Sequence, residues 1–282
     1  MKVLVPYTIT DARLSSSSVP EADYPVWSAA TAYALGARVI RTATHRIYER
    51  AIAGTSATAP ELDDVRWLDV GPTNRWAMLD DSVGSSTTAA GSLSVTLAMP
   101  GPVGDLVLLG VVGSSVSVSS SGSTVRTVAV PAEPVPGMGA TLVITGLAIG
   151  GAPSIGVTLT GSGTVKIGTL AIGTFTTLGA PEKGMQIGIQ DYSTKTFDSF
   201  GGVTISRRGL SRKIAAAFTA LPSSFDQLAR VLASLRSKPV IWQGLPWVDA
   251  TCVYGTCASQ SLTLQQGIVR GSVTVRSLAF GL

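Results

Sequence analysis

The chain has 282 residues, enough for two or three domains with proper cores. Hydrophobic residues make up 45% of it and charged residues only 13%, about half of the ~25% usual in soluble domains. The longest strongly apolar run, LVLLGVV (Leu106–Val112), falls far short of the ~20 residues of a membrane-spanning helix, and a net charge of +4 with one short basic cluster, SRRGLSRK (Ser206–Lys213), excludes the broad basic face of a nucleic-acid binder.

So sparse a charge leaves wide neutral surfaces, which suits a subunit whose faces end against partners. The opening MKVLVPYTI is shorter than a secretory signal and has no convincing cleavage site, so export by the usual route is not expected.

In chain order, Met1 to Ile9 reads as one strand, and SSSSVPEAD (Ser15–Asp23) as a polar linker. A compact unit follows over residues 24–70. Its strands ARVIR and HRIYERA alternate with period two and are expected to form a hairpin turning at Thr42-Ala43-Thr44. GPTNRWAMLDDS (Gly71–Ser82) is a junction. From Ser85 to Ala180 the only charged residues are Asp105, Arg126, Glu133 and Lys166. Short alternating segments such as SLSVTLAMP, SVSVSSSG and ATLVITGL recur there, separated by Gly, Pro and Ser, which predicts an antiparallel β-sandwich over 71–183.

The remainder, 184–282, is expected to be an α+β domain with one helix on a mostly antiparallel sheet. Phe225, Leu228, Ala229, Leu232 and Leu235 fall on one helical face. Ser223 with Asp226, or Ser224 with Gln227, fits a capping box; Arg236 and Lys238 suit the far end, and Pro239 stops the helix. SLTLQQGIVRGSVTVRSL reads as a closing hairpin.

No residue pattern here carries catalysis. His45 is the only histidine, and no G-x-S-x-G or H-E-x-x-H occurs. Cys252 and Cys257 flank VYGT without metal-site spacing, and read either as free thiols or as a local disulfide. Asn74, Asp80 and Asp81 offer oxygens but lack calcium-loop spacing, and a packed junction turn explains them as well. Glycoside hydrolysis needs two placed carboxylates, and the sandwich supplies only Asp105 and Glu133. No enzyme, metal or cofactor is therefore expected.

The stretch from Pro25 to Trp67 resembles the small carbohydrate-binding modules of the chitin- and cellulose-binding type. Trp27, Tyr33, Gly36, Val39, Tyr48, Pro60 and Trp67 follow that family's order and approximate spacing. At one point the chain departs from it: THRIY stands where the family has x-Gly-x-x-Tyr. The resemblance implies sugar stacking by Trp27, Tyr33, Tyr48 or Trp67, with Trp67 foremost because it ends the unit beside a loop. The same aromatics equally serve as the core of so small a unit.

The whole arrangement is similar to tail-tip and baseplate proteins of long-tailed bacteriophages, notably in SRRGLSRKIAAAFTALPSSFDQLARVLASLRSKPVIWQG and the closing GSVTVRSL. This implies a virion structural protein, assembled in the host cytoplasm as a three- or six-fold homo-oligomer around the tail axis. Other tail proteins would be its partners, and a host-surface glycan a further one. The alternative is a carbohydrate-binding adhesin that recognises a bacterial surface glycan.

Overall fold

The computed structural model describes residues 1–81, 84–133, 138–197, 199–206 and 209–278. The chain is mainly β, in several antiparallel sheets with one short helix. It opens with β1 (Lys2–Leu4) and β2 (Leu14–Ser17). A separate three-stranded sheet follows, β3 (Arg38–Arg41), β4 (Arg46–Arg50) and β5 (Trp67–Pro72), with the tight turn at residues 42–45. Next come β6 (Thr87–Ala98), β7 (Asp105–Val111), β8 (Ser115–Ser120), β9 (Ser123–Ala129), β10 (Ala140–Ile144), β11 (Ser154–Ile167) and β12 (Thr169–Gly173).

The last third holds β13 (Phe175–Thr177), β14 (Ala180–Pro181), β15 (Gln186–Asp191), β16 (Thr194–Phe197), β17 (Val203–Ser206) and β18 (Leu210–Ala220). It continues with α1 (Phe225–Ser234), β19 (Val240–Gln243), β20 (Cys252–Gln265) and β21 (Ile268–Ser277).

Three sheets stack in layers. The outer one has the order β2-β6-β11-β8-β9. Its valines, leucines and isoleucines, among them Leu93, Val95, Val116, Val157 and Leu159, point inward. Serines and threonines alternate with them on the solvent face, where Ser115 meets Thr160 and Ser117 meets Thr127 across strands, each pair at 2.9 Å.

The middle sheet, β10-β7-β12, is buried on both sides. Leu106, Leu108, Leu142 and Ile172 pack against the outer sheet. Val107, Leu109 and Ala171 pack the other way, against Leu4, Ile241, Cys252 and Tyr254. LVLLGVV is continuous rather than alternating because β7 sits at the centre of this stack. Each of the buried valines, leucines and isoleucines among them contributes roughly 1.5–3 kcal/mol by leaving water.

The third sheet runs β13-β1-β19-β20-β21-β18-β14. Its two end strands, β13 and β14, are separated by only two residues, Leu178 and Gly179. The sheet therefore curls until the chain joins its own edges, with Leu178 N–H bonded to Met1 O and Glu182 N–H to Ala217 O. Val3, Phe218, Trp242, Val253 and Val273 fill the inside, and Leu228 and Leu232 of α1, with Leu235 at its C-cap, close over them. That is the helical face expected from the sequence.

Several expectations change. The first strand ends at Leu4, and the serine run is no linker: Leu14–Ser17 pairs with β6 at the edge of the outer sheet. Val19 is buried in the same core, and Ser18 and Ser94 exchange hydrogen bonds, which is what holds so polar a segment in place. There is no capping box. Ser224 is the N-cap, but the chain enters α1 from a tight turn over Pro222–Ser224, and this turns the hydroxyl back to Leu221 O at 2.7 Å. The last turn of α1 holds no basic residue, since the helix stops at Ser234, short of Arg236 and Lys238.

Candidate functional site

The small sheet gathers all four candidate aromatics into one cluster around Val39. Tyr48 and Trp67 are buried, at 4% and 2% exposure. Tyr33 meets Trp67 edge-on with ring centroids 5.2 Å apart, and its hydroxyl is fixed by the Ser28 N–H at 2.8 Å. The Arg50 guanidinium, itself buried, lies 4.7 Å over the Trp67 ring. Trp67 is thus enclosed by an edge-on tyrosine and a cation, and has no face for a sugar.

Trp27 and Tyr33 keep part of their surface in solvent. One face of Trp27 is covered by Arg41, 4.9 Å from the ring centre. Arg41 is held by a two-pronged contact to Glu61 at 3.0 and 2.7 Å, and that hydrogen bond keeps the Glu61 carboxyl below its usual range. The four residues form a packed core rather than a flat exposed row. Trp247, which the sequence reading passed over, is 76% exposed in the loop after β19. Its only signal was a Pro-Trp pair outside any periodic segment.

His45 occupies the position where the resembled modules have glycine. Its backbone is left-handed, φ +56°, a conformation that histidine adopts more readily than most residues. Its ring stacks on Trp76 of the junction, and its nitrogens face Glu21 and Asp11 at 3.0 and 2.8 Å. Glu21 also accepts from the Thr73 hydroxyl at 3.1 Å. This contact ties the small sheet to the body.

The remaining polar candidates are engaged structurally. Asn74 brackets Thr88, donating to its carbonyl at 3.0 Å and accepting its N–H at 2.8 Å. Asp80 lies 3.6 Å from Arg46, and Asp81 accepts from the Tyr254 hydroxyl. Asp105 accepts backbone N–H groups of Gly146 and Phe175 at 3.2 and 2.7 Å. Among the described residues no group of three or more His, Cys, Asp or Glu could hold a metal ion, and no helix is long and apolar enough to cross a membrane. Cys252 and Cys257 are free thiols on one extended strand, and burial pushes Cys252 up to about 12. Of the basic cluster, Arg207 and Arg208 lie outside the described residues.

The largest unassigned feature is a ribbon. β15 and β18 pair from Gln186↔Ala215 to Asp191↔Leu210, and β16 and β17 continue from Thr194↔Ser206 to Phe197↔Val203. Every residue of β15, β16 and β17 is exposed. No protein family, no curated protein and no solved structure matches the chain. The ribbon and the small aromatic sheet are the two features that bear on function.

Proposed function

We propose that this chain is a structural subunit of a bacteriophage tail, at the tip or baseplate. It assembles with copies of itself in three- or six-fold order around the tail axis, and with other tail proteins. The observation that carries this reading is the ribbon: an ordered β extension with exposed isoleucine, phenylalanine and valine on a chain that is otherwise weakly charged. An isolated two-stranded ribbon is marginal in water, so an apolar one is built to be covered.

In the same proposal, residues 71–183 are a β-sandwich of the outer and middle sheets, and 184–282 a tail-assembly domain. Residues 24–70 are a carbohydrate-binding-like module used mainly as a brace. Residues 1–23 serve both larger parts, since β1 joins the curled sheet and β2 the outer one. The decisive experiment is electron microscopy of purified virions carrying a tagged copy. Label at the tail tip is the expected result; virions without the protein overturn the reading.

A second reading, attachment to a host-surface glycan through the module, draws on the half-exposed rings of Trp27 and Tyr33. Pull-down on bacterial surface polysaccharide, with Trp27→Ala as control, tests it. Binding that is unchanged by that substitution removes the module from recognition.

A further inference from the structure

The ribbon has two unlike faces. Residues directly opposite in an antiparallel pair share a face. Ile187 is opposite Ile214, which lies in the core of the curled sheet. Ile189 follows on the same face, and at the far end Phe197 is opposite Val203 while Ile205 is opposite Lys195. Between Asp191↔Leu210 and Thr194↔Ser206 one strand advances three residues and the other four, so the pairing register shifts by one. Counted along β15 and β16, Ile187, Ile189, Lys195 and Phe197 have one parity, which puts their partners Ile205 and Val203 on the same side, together with Arg212 opposite Ile189 and Asp191 opposite Leu210. Thr194, Thr196 and Thr204 take the other.

The core face of the sheet therefore runs out along the ribbon. Ile187, Ile189, Phe197, Val203 and Ile205 are 44%, 71%, 71%, 51% and 56% exposed. Together they leave on the order of 500 Å² of apolar side chain in water, so a junction that covers them buries about 1,000 Å² counting both partners, the threshold of a biological interface.

A matching acceptor lies at the opposite end of β18. There the end of β18, the segment between β13 and β14, and the first turns of α1 enclose an open groove of ≈ 460 Å³. Leu178, Ala220, Leu221, Leu228 and Val231 line it, with no charged side chain among its walls. Leu221, at its rim, is 72% exposed. β18 spans 11 residues, Leu210–Ala220, or roughly 35 Å; its Leu210–Ala215 half pairs with β15 in the ribbon, and its other end, Thr219 and Ala220, lines the groove. The ribbon projects the other way, so no chain can place its ribbon in its own groove. Lys195 is the only charged residue of β16 and β17, and the carboxylate next along the chain to the groove is Asp226, which is not one of its walls but precedes the lining residue Gln227.

We propose that the ribbon of one copy docks its apolar face into the groove of a second copy, head to tail, with Phe197, Val203 and Ile205 as anchors and Lys195 facing Asp226. The proposal rests on the assembly reading above and names its contact. Each copy then offers one ribbon and one groove, and such a contact closes into a ring when its rotation allows and otherwise grows as a filament.

The test uses the purified full-length chain in analytical ultracentrifugation. One variant carries Phe197→Asp and Ile205→Asp, the other Leu221→Asp; all three positions are exposed, so folding is spared, and circular dichroism checks it. Wild type should form a ring or longer assembly. Each variant alone should lose self-association by roughly 30-fold or more, the loss of an interface anchor. Mixed, the two variants should give a dimer and nothing larger, because only one intact ribbon meets one intact groove. Lys195→Asp and Asp226→Lys should each weaken assembly, and together restore it.

Wild type that stays monomeric at its highest soluble concentration overturns the proposal. So do folded variants that assemble normally, or a mixture that fails to dimerise. These outcomes are separate from the virion test. A ring in vitro with no label in virions defeats the tail assignment alone, whereas labelled virions with normally assembling ribbon variants defeat the ribbon contact alone.

Discussion

His45 lies flat on Trp76, with ring centroids 4.0 Å apart and planes 19° from parallel. The histidine belongs to the hairpin turn of the small sheet and the tryptophan to the junction that follows it. A glycine at this position would make the same left-handed turn more easily, but with no side chain to stack. The His45 side chain is therefore what fastens the small sheet to the body. Of the two carboxylates on the ring, Glu21 matters more, since its side chain is 9% exposed and that of Asp11 is 71% exposed.

His45→Asn should release the module without unfolding it. Asparagine tolerates the left-handed backbone, and the cluster of Val39, Tyr48 and Trp67 is untouched. The lost stack and carboxylate contact should cost about 1–2 kcal/mol of docking. Limited proteolysis should cut faster on either side of the module, near residues 22–24 and 71–75, and Trp76 emission should shift to the red. Unchanged cutting would show that the stack does not hold the two parts together.

Trp67→Ala should unfold the small sheet at a cost of about 3–5 kcal/mol, since it empties the centre of the aromatic cluster and strands the buried Arg50. Trp27→Ala, at a half-exposed position, should cost roughly a third of that. Differential scanning calorimetry should show the module's transition lost in the first variant and only lowered in the second. Equal effects would mean that both rings carry the same load.

Much of this organisation is legible in the sequence because it repeats locally. Val116 and Val118 alternate with Ser115 and Ser117, so inner and outer faces of that strand can be read directly. Leu228, Leu232 and Leu235 mark the buried side of α1 in the same way. LVLLGVV announces burial but not a sheet covered on both sides, because that depends on β1, β19 and β20, which arrive from both ends of the chain. The ribbon is harder still. Ile187 and Ile189 alternate just as Val116 and Val118 do, and nothing local tells an alternation that meets a core from one that meets solvent. The cap of α1 failed for a similar reason, since the path taken through Pro222 decides where the Ser224 hydroxyl points.

Alkaline conditions should probe the seam between the junction and the curled sheet. The Tyr254 hydroxyl donates to Asp81 Oδ1 at 2.6 Å, and burial, then the Asp81 carboxylate, hold its pKa above the ordinary value. The folded state thus keeps a proton that the unfolded chain releases near pH ~10, so this contribution is whole below that pH and is lost as pH rises toward the folded value. Tyr254→Phe cannot ionise. It should be less stable at neutral pH by about 1.5–3 kcal/mol, the worth of a hydrogen bond to a charged group, and should narrow that gap to wild type above pH ~10. Comparing the two proteins cancels the other groups that titrate there, Cys252 included. Denaturant melts across that range check it, and a gap constant with pH would refute the assignment.

Gly271→Ala tests how tightly the curled sheet is packed. Gly271 on β21 is opposite Phe218 on β18, and the phenylalanine ring lies directly over it. A Cβ added there would come within 2.2 Å of the ring's Cζ and within 2.7 Å of both Cε atoms. Phe218 is fully buried, so the ring cannot swing into solvent; it has to push into Val273, Val269 or the helix above. Overpacking of this kind costs about 1–3 kcal/mol, and a ring buried on every side puts this site at the upper end. Phe218→Leu combined with Gly271→Ala should recover part of that loss, since the smaller side chain makes room for the new methyl. Chemical denaturation of the two variants measures both effects. A Gly271→Ala protein as stable as wild type would mean that β18 and β21 can separate at this point, and that the sheet is looser than its buried phenylalanine implies.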